Sequence, residues 1–350
     1  MNAFFPMLFS MISMKNIVDC AEVISMNEPI PLICSVRSNI IETVHRVSAV
    51  VFKGNELILS IGDPDVIVPL RSVGKPFMLT PILCECEKAG IRLSDAQICI
   101  MASSHNGEKR HRDIIESILL LSNSTANDMN CGTHMPYYQW LIPEYINGDE
   151  GQKQLYHNCS GKHAGMLLIG ELMSVDRDRY WLPEHPIQQR ITSSVREMLQ
   201  IGENDYFHIA IDGCGSPTYC ITLSKLAAAY CDIWYNKAMN PVTDAVMKEP
   251  FFIAGSNRID TVIIDKLKFF AKSGTDGLFC ISCPKQQIGI ALKVESGNDD
   301  VSESAIVEIL NALGLLDDYS RNVLDEYWHL KIYTTTGIAI GEYRPIREVF

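Results

Sequence analysis

Residues 31–60 hold three β-rich runs separated by little more than a turn, and this most limits what the chain can become. Pro31-Leu-Ile-Cys-Ser-Val36 and Val47-Ser-Ala-Val-Val-Phe52 favour strands, and Lys53-Gly54-Asn55 turns the chain into Leu57-Ile-Leu-Ser60. Such short connections join antiparallel neighbours, so a β-meander is expected. Arg37, Glu42 and His45 lie among these strands, where lone polar residues are usually solvated or structural.

The meander leads through Asp63-Pro64-Asp65 to Arg71-Ser72-Val-Gly-Lys75-Pro76. If a helix starts there, Ser72 and Lys75 sit one turn apart on one face. A neutral lysine beside a serine hydroxyl can take its proton, which gives an acyl-transfer nucleophile without histidine. The S-x-x-K of penicillin-binding enzymes works this way, followed by S-D-N and K-T-G. Here Ser104-His-Asn106 stands in the second place, whereas Lys293-Val-Glu295 is not K-T-G. Many helices carry a surface serine and lysine at this spacing, so the tetrapeptide alone does not make a site.

Further along, Phe77 to Lys88 reads as a core helix whose start Pro81 kinks or shifts. Ile98 to Ala102 reads as a buried strand ending on the polar Ser103-Ser-His-Asn-Gly-Glu108, with an amphipathic helix over 109–121 behind it. Residues 122–158 are irregular and include Cys131-Gly-Thr-His134; so long a polar connection is uncommon unless it shapes a site. His157-Asn-Cys-Ser-Gly-Lys-His-Ala-Gly165 opens onto an apolar helix from Met166. Asp212-Gly-Cys-Gly-Ser-Pro217 follows a strand from His208 and precedes a helix expected over Tyr219 to Tyr230. A helical stretch after Pro241 leads to a loop with Gly255 and Arg258, then two strands over 277–281 and 287–294 return as a hairpin, and 302–314 is a helix. No repeat or linker interrupts this, so 28–350 is expected to be one domain behind a poorly ordered extension, 1–27.

The 350 residues are 47% hydrophobic and 21% charged, the composition of a soluble globular protein with a sizeable core. A net charge of −12 with scattered lysines and arginines argues against nucleic acid, and no run is long enough for a membrane span. Twelve cysteines at irregular spacing in so long a chain suit a reducing cytoplasm. Neither Cys84/Cys86 nor Cys280/Cys283 has the matching pair a zinc site needs.

Together, R-S-V-G-K-P (71–76), A-S-S-H-N-G-E (102–108), C-G-T-H-M-P (131–136), H-N-C-S-G-K-H-A-G (157–165), D-G-C-G-S-P (212–217), A-G-S-N-R-I-D-T (254–261) and G-I-A-L-K-V-E-S-G (289–297) resemble the asparaginase II family. With Arg37, Glu42 and His45 they cover residues 31–300 in family order, and 157–165 and D-G-C-G-x-P are highly specific. The resemblance implies an α+β, serine β-lactamase-like fold, an antiparallel sheet with packed helices. It implies an L-asparaginase that releases ammonia from L-asparagine through a serine acyl-enzyme, working as a cytoplasmic homodimer. Two Ser–Lys pairs follow: Ser72 with Lys75, as nucleophile and base, and Ser104 with Lys293, as relay. The implied ligands of one Zn²⁺ are Cys159, Lys162 and Cys214, with Arg71, His163 and Asp212 near the substrate. Activity is then expected to rise toward alkaline pH as a lysine loses its proton. A penicillin-recognising hydrolase and a zinc-dependent binding protein on the same scaffold are the alternatives.

Overall fold

The three expected strands form as Ile30–Arg37, Ile40–Lys53 and Glu56–Ile61 in the computed structural model, which describes residues 24–348. Of the expected N-terminal extension, residues 1–23 therefore lie outside the described residues. Consecutive strands pair antiparallel, as short turns require. Ile40–Lys53 is long enough to serve three partners: its first half pairs with Ile30–Arg37, its second with Glu56–Ile61 and with Ile288–Val294. The expected returning hairpin, Leu278–Cys283 with Ile288–Val294, extends this sheet, and Lys331–Tyr333 and Ala339–Pro345 extend it on the side of Ile30–Arg37. One edge departs from the antiparallel pattern, since Ile24–Met26 runs parallel to Glu56–Ile61.

The chain divides into two compact units, neither of them one continuous stretch. The first takes residues up to 68, 222–231 and 274 onward, and it holds the strands just described. The helix Asp299–Ala312 packs on its strands Ile288–Val294 and Ala339–Pro345. Ile288, Ile290, Ala291, Leu292 and Val294 are all fully buried, so this strand is covered on both faces and only Lys293 is less than buried.

The second unit, 69–221 with 232–273, is mainly helical. At its centre is the helix Ser160–Leu172, buried from Ser160 to Gly170, as befits a helix apolar nearly all round. It packs on Thr80–Lys88, Asp95–Met101 and Lys109–Leu121. Gly161 makes one of these approaches possible: a Cβ there would lie 2.2 Å from the Ile100 carbonyl oxygen. Pro81 shifts a helix start as expected, because a 3₁₀ turn over Arg71–Met78 ends before Thr80–Lys88 begins.

Two elements correct the sequence reading. Asp95–Met101 is a helix where a strand was expected over 98–102. A short apolar run has no period to tell the two apart, and the capping box between Ser94 and Gln97 decides. The expected helix over 219–230 splits into the strand Pro217–Thr222 and the helix Leu223–Asp232. His208–Ile211 draws the first part into an antiparallel hairpin, which overrides its local preference. Among the described residues, no helix is long and apolar enough to cross a membrane.

Candidate active site

All the residues of the site belong to the second unit. Arg71 enters it at a positive φ of 47°, a conformation that costs a non-glycine residue energy unless its surroundings hold it. Two contacts do so: its backbone N–H donates to Thr218 Oγ1 at 2.9 Å, and its Nε donates to Asp212 Oδ1 at 2.6 Å. Ser72 follows at once, buried. In a 3₁₀ helix, residues three apart eclipse one another, so Ser72 and Lys75 leave the same side.

Lys75 nevertheless reaches past its neighbour. Its amine donates to the Ser103 carbonyl at 2.5 Å, to Ser104 Oγ at 3.3 Å and to the Asn158 carbonyl at 3.4 Å. No hydrogen bond joins it to Ser72. Two of these partners are carbonyls, which only accept, and the third is a hydroxyl.

Ser104 stands where two lysines converge. Its backbone is pinned by Ser104 N–H donating to the Ile253 carbonyl at 2.9 Å and Asn106 N–H to the Ala254 carbonyl at 2.8 Å. Gly255 is needed beside it: φ is +118°, and a Cβ would meet Glu108 Oε1 at 2.5 Å and Asn106 Nδ2 at 2.8 Å. The second lysine is Lys272, on the short strand Phe270–Ser273, fully buried, with Nζ 3.0 Å from Ser104 Oγ and 2.8 Å from the Ser273 carbonyl. Burial pushes its amine down to about 7, with the nearby Lys75 and Arg258 helping and Asp260 opposing.

The expected partner of Ser104, Lys293, belongs to the first unit. It is half-buried on the strand Ile288–Val294, and its amine donates to the carbonyls of Asp276 and Val294. One carbonyl belongs to the next residue and the other to the loop before Leu278–Cys283, and both accept from it. Sequence reasoning missed Lys272. The available signal was a cation inside the apolar run Phe269-Phe-Ala-Lys272, since lysine is almost never fully buried without a partner.

A second cluster gathers Cys159, Asp212 and Cys214, whose ligand atoms lie within 4.8 Å of one another. Cys159 caps the N-terminus of the helix Ser160–Leu172, Lys162 projects from its first turn, and Asp212 and Cys214 occupy the loop between two paired strands. The sulfurs act as one acid. The Cys159 thiol that Cys214 accepts, together with Lys162, holds Cys214 far below the ordinary thiol range despite burial. The same bond and burial push Cys159 well above it. Lys162 is also buried, which disfavours its charge, yet the negative groups at Cys214, Cys159 and Asp212 outweigh this and push its amine up. It donates to Asp212 Oδ2 at 3.2 Å. Burial works against the Asp212 charge too, but Lys162 and Arg71 keep that carboxyl below its usual range.

His163 completes this side. Nδ1 lies 2.6 Å from the Tyr180 hydroxyl, which also accepts the Asn130 N–H at 2.9 Å, whereas Nε2 is buried without a hydrogen-bond partner. Burial lowers the ring's pKa even with Cys214 pulling it up, so the ring is neutral.

The structure thus brings Lys75 and Ser104 together, and Cys159, Lys162, Asp212 and Cys214 with Arg71. Two soft sulfur donors, an amine and a carboxylate, with an orphaned imidazole nitrogen alongside, suit a borderline-soft divalent cation such as Zn²⁺.

The family model described as L-asparaginase II matches residues 33–345. No curated protein sequence matches the chain. Similar solved structures include a beta-lactamase from Mycobacterium bovis, at 15% identity over 80% of this chain and 94% of that one, with a TM-score of 0.36. Another is EstCE1, a hydrolase with promiscuous acyltransferase activity, at 9% identity over 77% and 93% of the two chains and a TM-score of 0.40. Scores this low fix neither activity nor substrate.

Proposed function

Because the chain belongs to the L-asparaginase II family, we propose that it hydrolyses the side-chain amide of L-asparagine to L-aspartate and ammonia. The observation that carries the mechanism is Ser104 Oγ lying within hydrogen-bond reach of two amines of unlike character. Lys272, lowered to about 7, supplies a lone pair at neutral pH. Lys75, with every donor engaged, supplies positive charge.

In this reading the Ser104 hydroxyl gives its proton to Lys272 as Oγ attacks the amide carbon. Lys75 stabilises the developing negative charge. The C–N bond then breaks, the nitrogen takes the proton from Lys272 and leaves as ammonia, and Ser104 is left as an ester of the β-carboxyl. Water, activated by the same lysine, releases aspartate and frees the serine. Arg71 and Asp212 offer charges of both signs for the amino acid's own carboxylate and ammonium groups. Zn²⁺ would be held by Cys159 and Cys214, with Lys162 or Asp212 completing the set, and when bound would supply a fixed positive charge beside the substrate. A lysine ligand must give up its proton, so metal binding here would release protons.

Ser72 is the second reading for the nucleophile. Its place directly after the strained Arg71 favours it, because strain collects at functional positions. Mass spectrometry of enzyme quenched during turnover separates the two: an aspartyl adduct on Ser104 is expected. Ser104→Ala should lower kcat by about four orders of magnitude or more, and Ser72→Ala by less. An adduct on Ser72 would reverse the assignment. Ammonia from glutamine, or opening of a β-lactam in preference to asparagine, would change the substrate.

A further inference from the structure

Asp260 is fully buried, and a buried carboxylate is retained only where its charge is used or fully satisfied. It sits on the short helix Ile259–Val262, and both its oxygens are taken by one residue: Oδ1 accepts the Ser273 N–H at 2.5 Å and Oδ2 accepts the Ser273 hydroxyl at 2.9 Å. Lys272 Nζ lies 3.9 Å from Oδ1. That separation is too long for a hydrogen bond and short enough for a strong charge effect. A closed ion pair in this buried place would hold Lys272 as an ammonium and direct its protons at the carboxylate. Ser273 holds both oxygens, its backbone N–H on the one nearer the amine and its hydroxyl on the other, and so fixes the carboxylate at this distance.

We propose that Asp260 is a positioning residue for this chemistry: held off by Ser273, its carboxylate governs the charge of Lys272 while leaving that amine to Ser104. The inference rests on reading Lys272 as the base. Five other side chains act on Lys272 from neighbouring elements, one of them Cys99 on the helix Asp95–Met101. Lys75 comes from the 3₁₀ turn Arg71–Met78, Arg258 from the residue before the Asp260 helix, Cys159 from the cap of Ser160–Leu172, and Ser104 from its loop. Arg258 also donates to Ser273 Oγ at 3.4 Å and to Asn106 Oδ1 at 3.2 Å, so it braces the hydroxyl that keeps Asp260 in place.

Two substitutions move the amine in opposite directions, which a purely architectural role would not do. Asp260→Asn removes the negative charge, and the Lys272 titration midpoint should fall by about 1–3 units. Ser273→Ala removes the hydroxyl's hold on Oδ2, so the carboxylate is free to turn toward the amine, and the midpoint should rise. The midpoint is read by nuclear magnetic resonance from the ¹³Cε signal of lysine-labelled full-length protein, with Lys272 identified by the signal lost in Lys272→Met. Opposite shifts support the proposal; midpoints equal to wild type in the variants that fold overturn it. Should Asp260→Asn fail to fold, the rise in Ser273→Ala carries the test. Because this readout needs no turnover, absence of ammonia release from asparagine would count against the function and leave the clamp standing.

Discussion

Lys162 and Lys272 are both buried in the same unit, and they end with opposite charge tendencies. Burial alone disfavours the ammonium in each. Around Lys162 stand two sulfurs and the Asp212 carboxylate, and their negative charge outweighs burial. Around Lys272 stand Lys75 and Arg258 against one standing-off carboxylate, and burial prevails. The sign of the neighbours decides what a buried lysine can do. In the proposed reading one is a counter-ion in a site suited to metal and the other the base for Ser104.

The comparison breaks most visibly at Lys272. Lys272→Arg keeps a cation but removes any neutral base, and kcat/KM should fall by about 10³-fold or more. In the wild type, kcat/KM should rise with pH through a midpoint near 7, lower than the alkaline rise expected from a less perturbed lysine. Stability carries the same sign. Between about 7 and 10.4 the unfolded chain keeps a proton on this lysine that the folded chain lacks. The group therefore stabilises the fold progressively as pH climbs through that window and costs most below it. Urea midpoints of Lys272→Met should lose that slope; an undiminished slope and a pH profile without a limb near 7 would return Lys272 to a structural role.

The other half of the comparison is tested at the sulfurs. Cys214→Ser should reduce zinc co-purifying with the protein to a small fraction of one ion per chain, measured by elemental analysis without added metal. Zinc equal to wild type would remove Cys214 from the ligand set. The smallest effect sharpens the contrast by its absence: Lys293→Ala breaks bonds to the backbone carbonyls of Asp276 and Val294, so kcat should change by less than about threefold. A loss of several orders of magnitude there would restore Lys293 to the chemistry.

Much of the site was legible because polar residues cluster between apolar elements. Ser104 lies on a loop entering a helix, as its sequence suggests, and Cys159 and Cys214, two of the ligands the family resemblance implies, lie close together with Asp212. Elements with a clear period were also legible: the meander over 31–60, the returning hairpin and the helix Lys109–Leu121. Asp95–Met101 was not, because seven residues are too few to show a period and its cap had to be weighed against a buried run.

By itself the sequence determined the antiparallel sheet, the order of the polar loops and the presence of serines, lysines and thiols suited to acyl transfer and metal binding. Only the tertiary structure decided which lysine meets Ser104. Lys272 and Lys293 each follow a strand's apolar residues, and nothing local separates them. Their difference lies in what packs on them: one strand end is walled in by Ser104, Asp260 and two cations, the other lies beside carbonyls that accept its protons. A lysine's charge follows from what packs around it, and for Lys272 part of that packing, Ser104 and Lys75, comes from residues more than a hundred positions away.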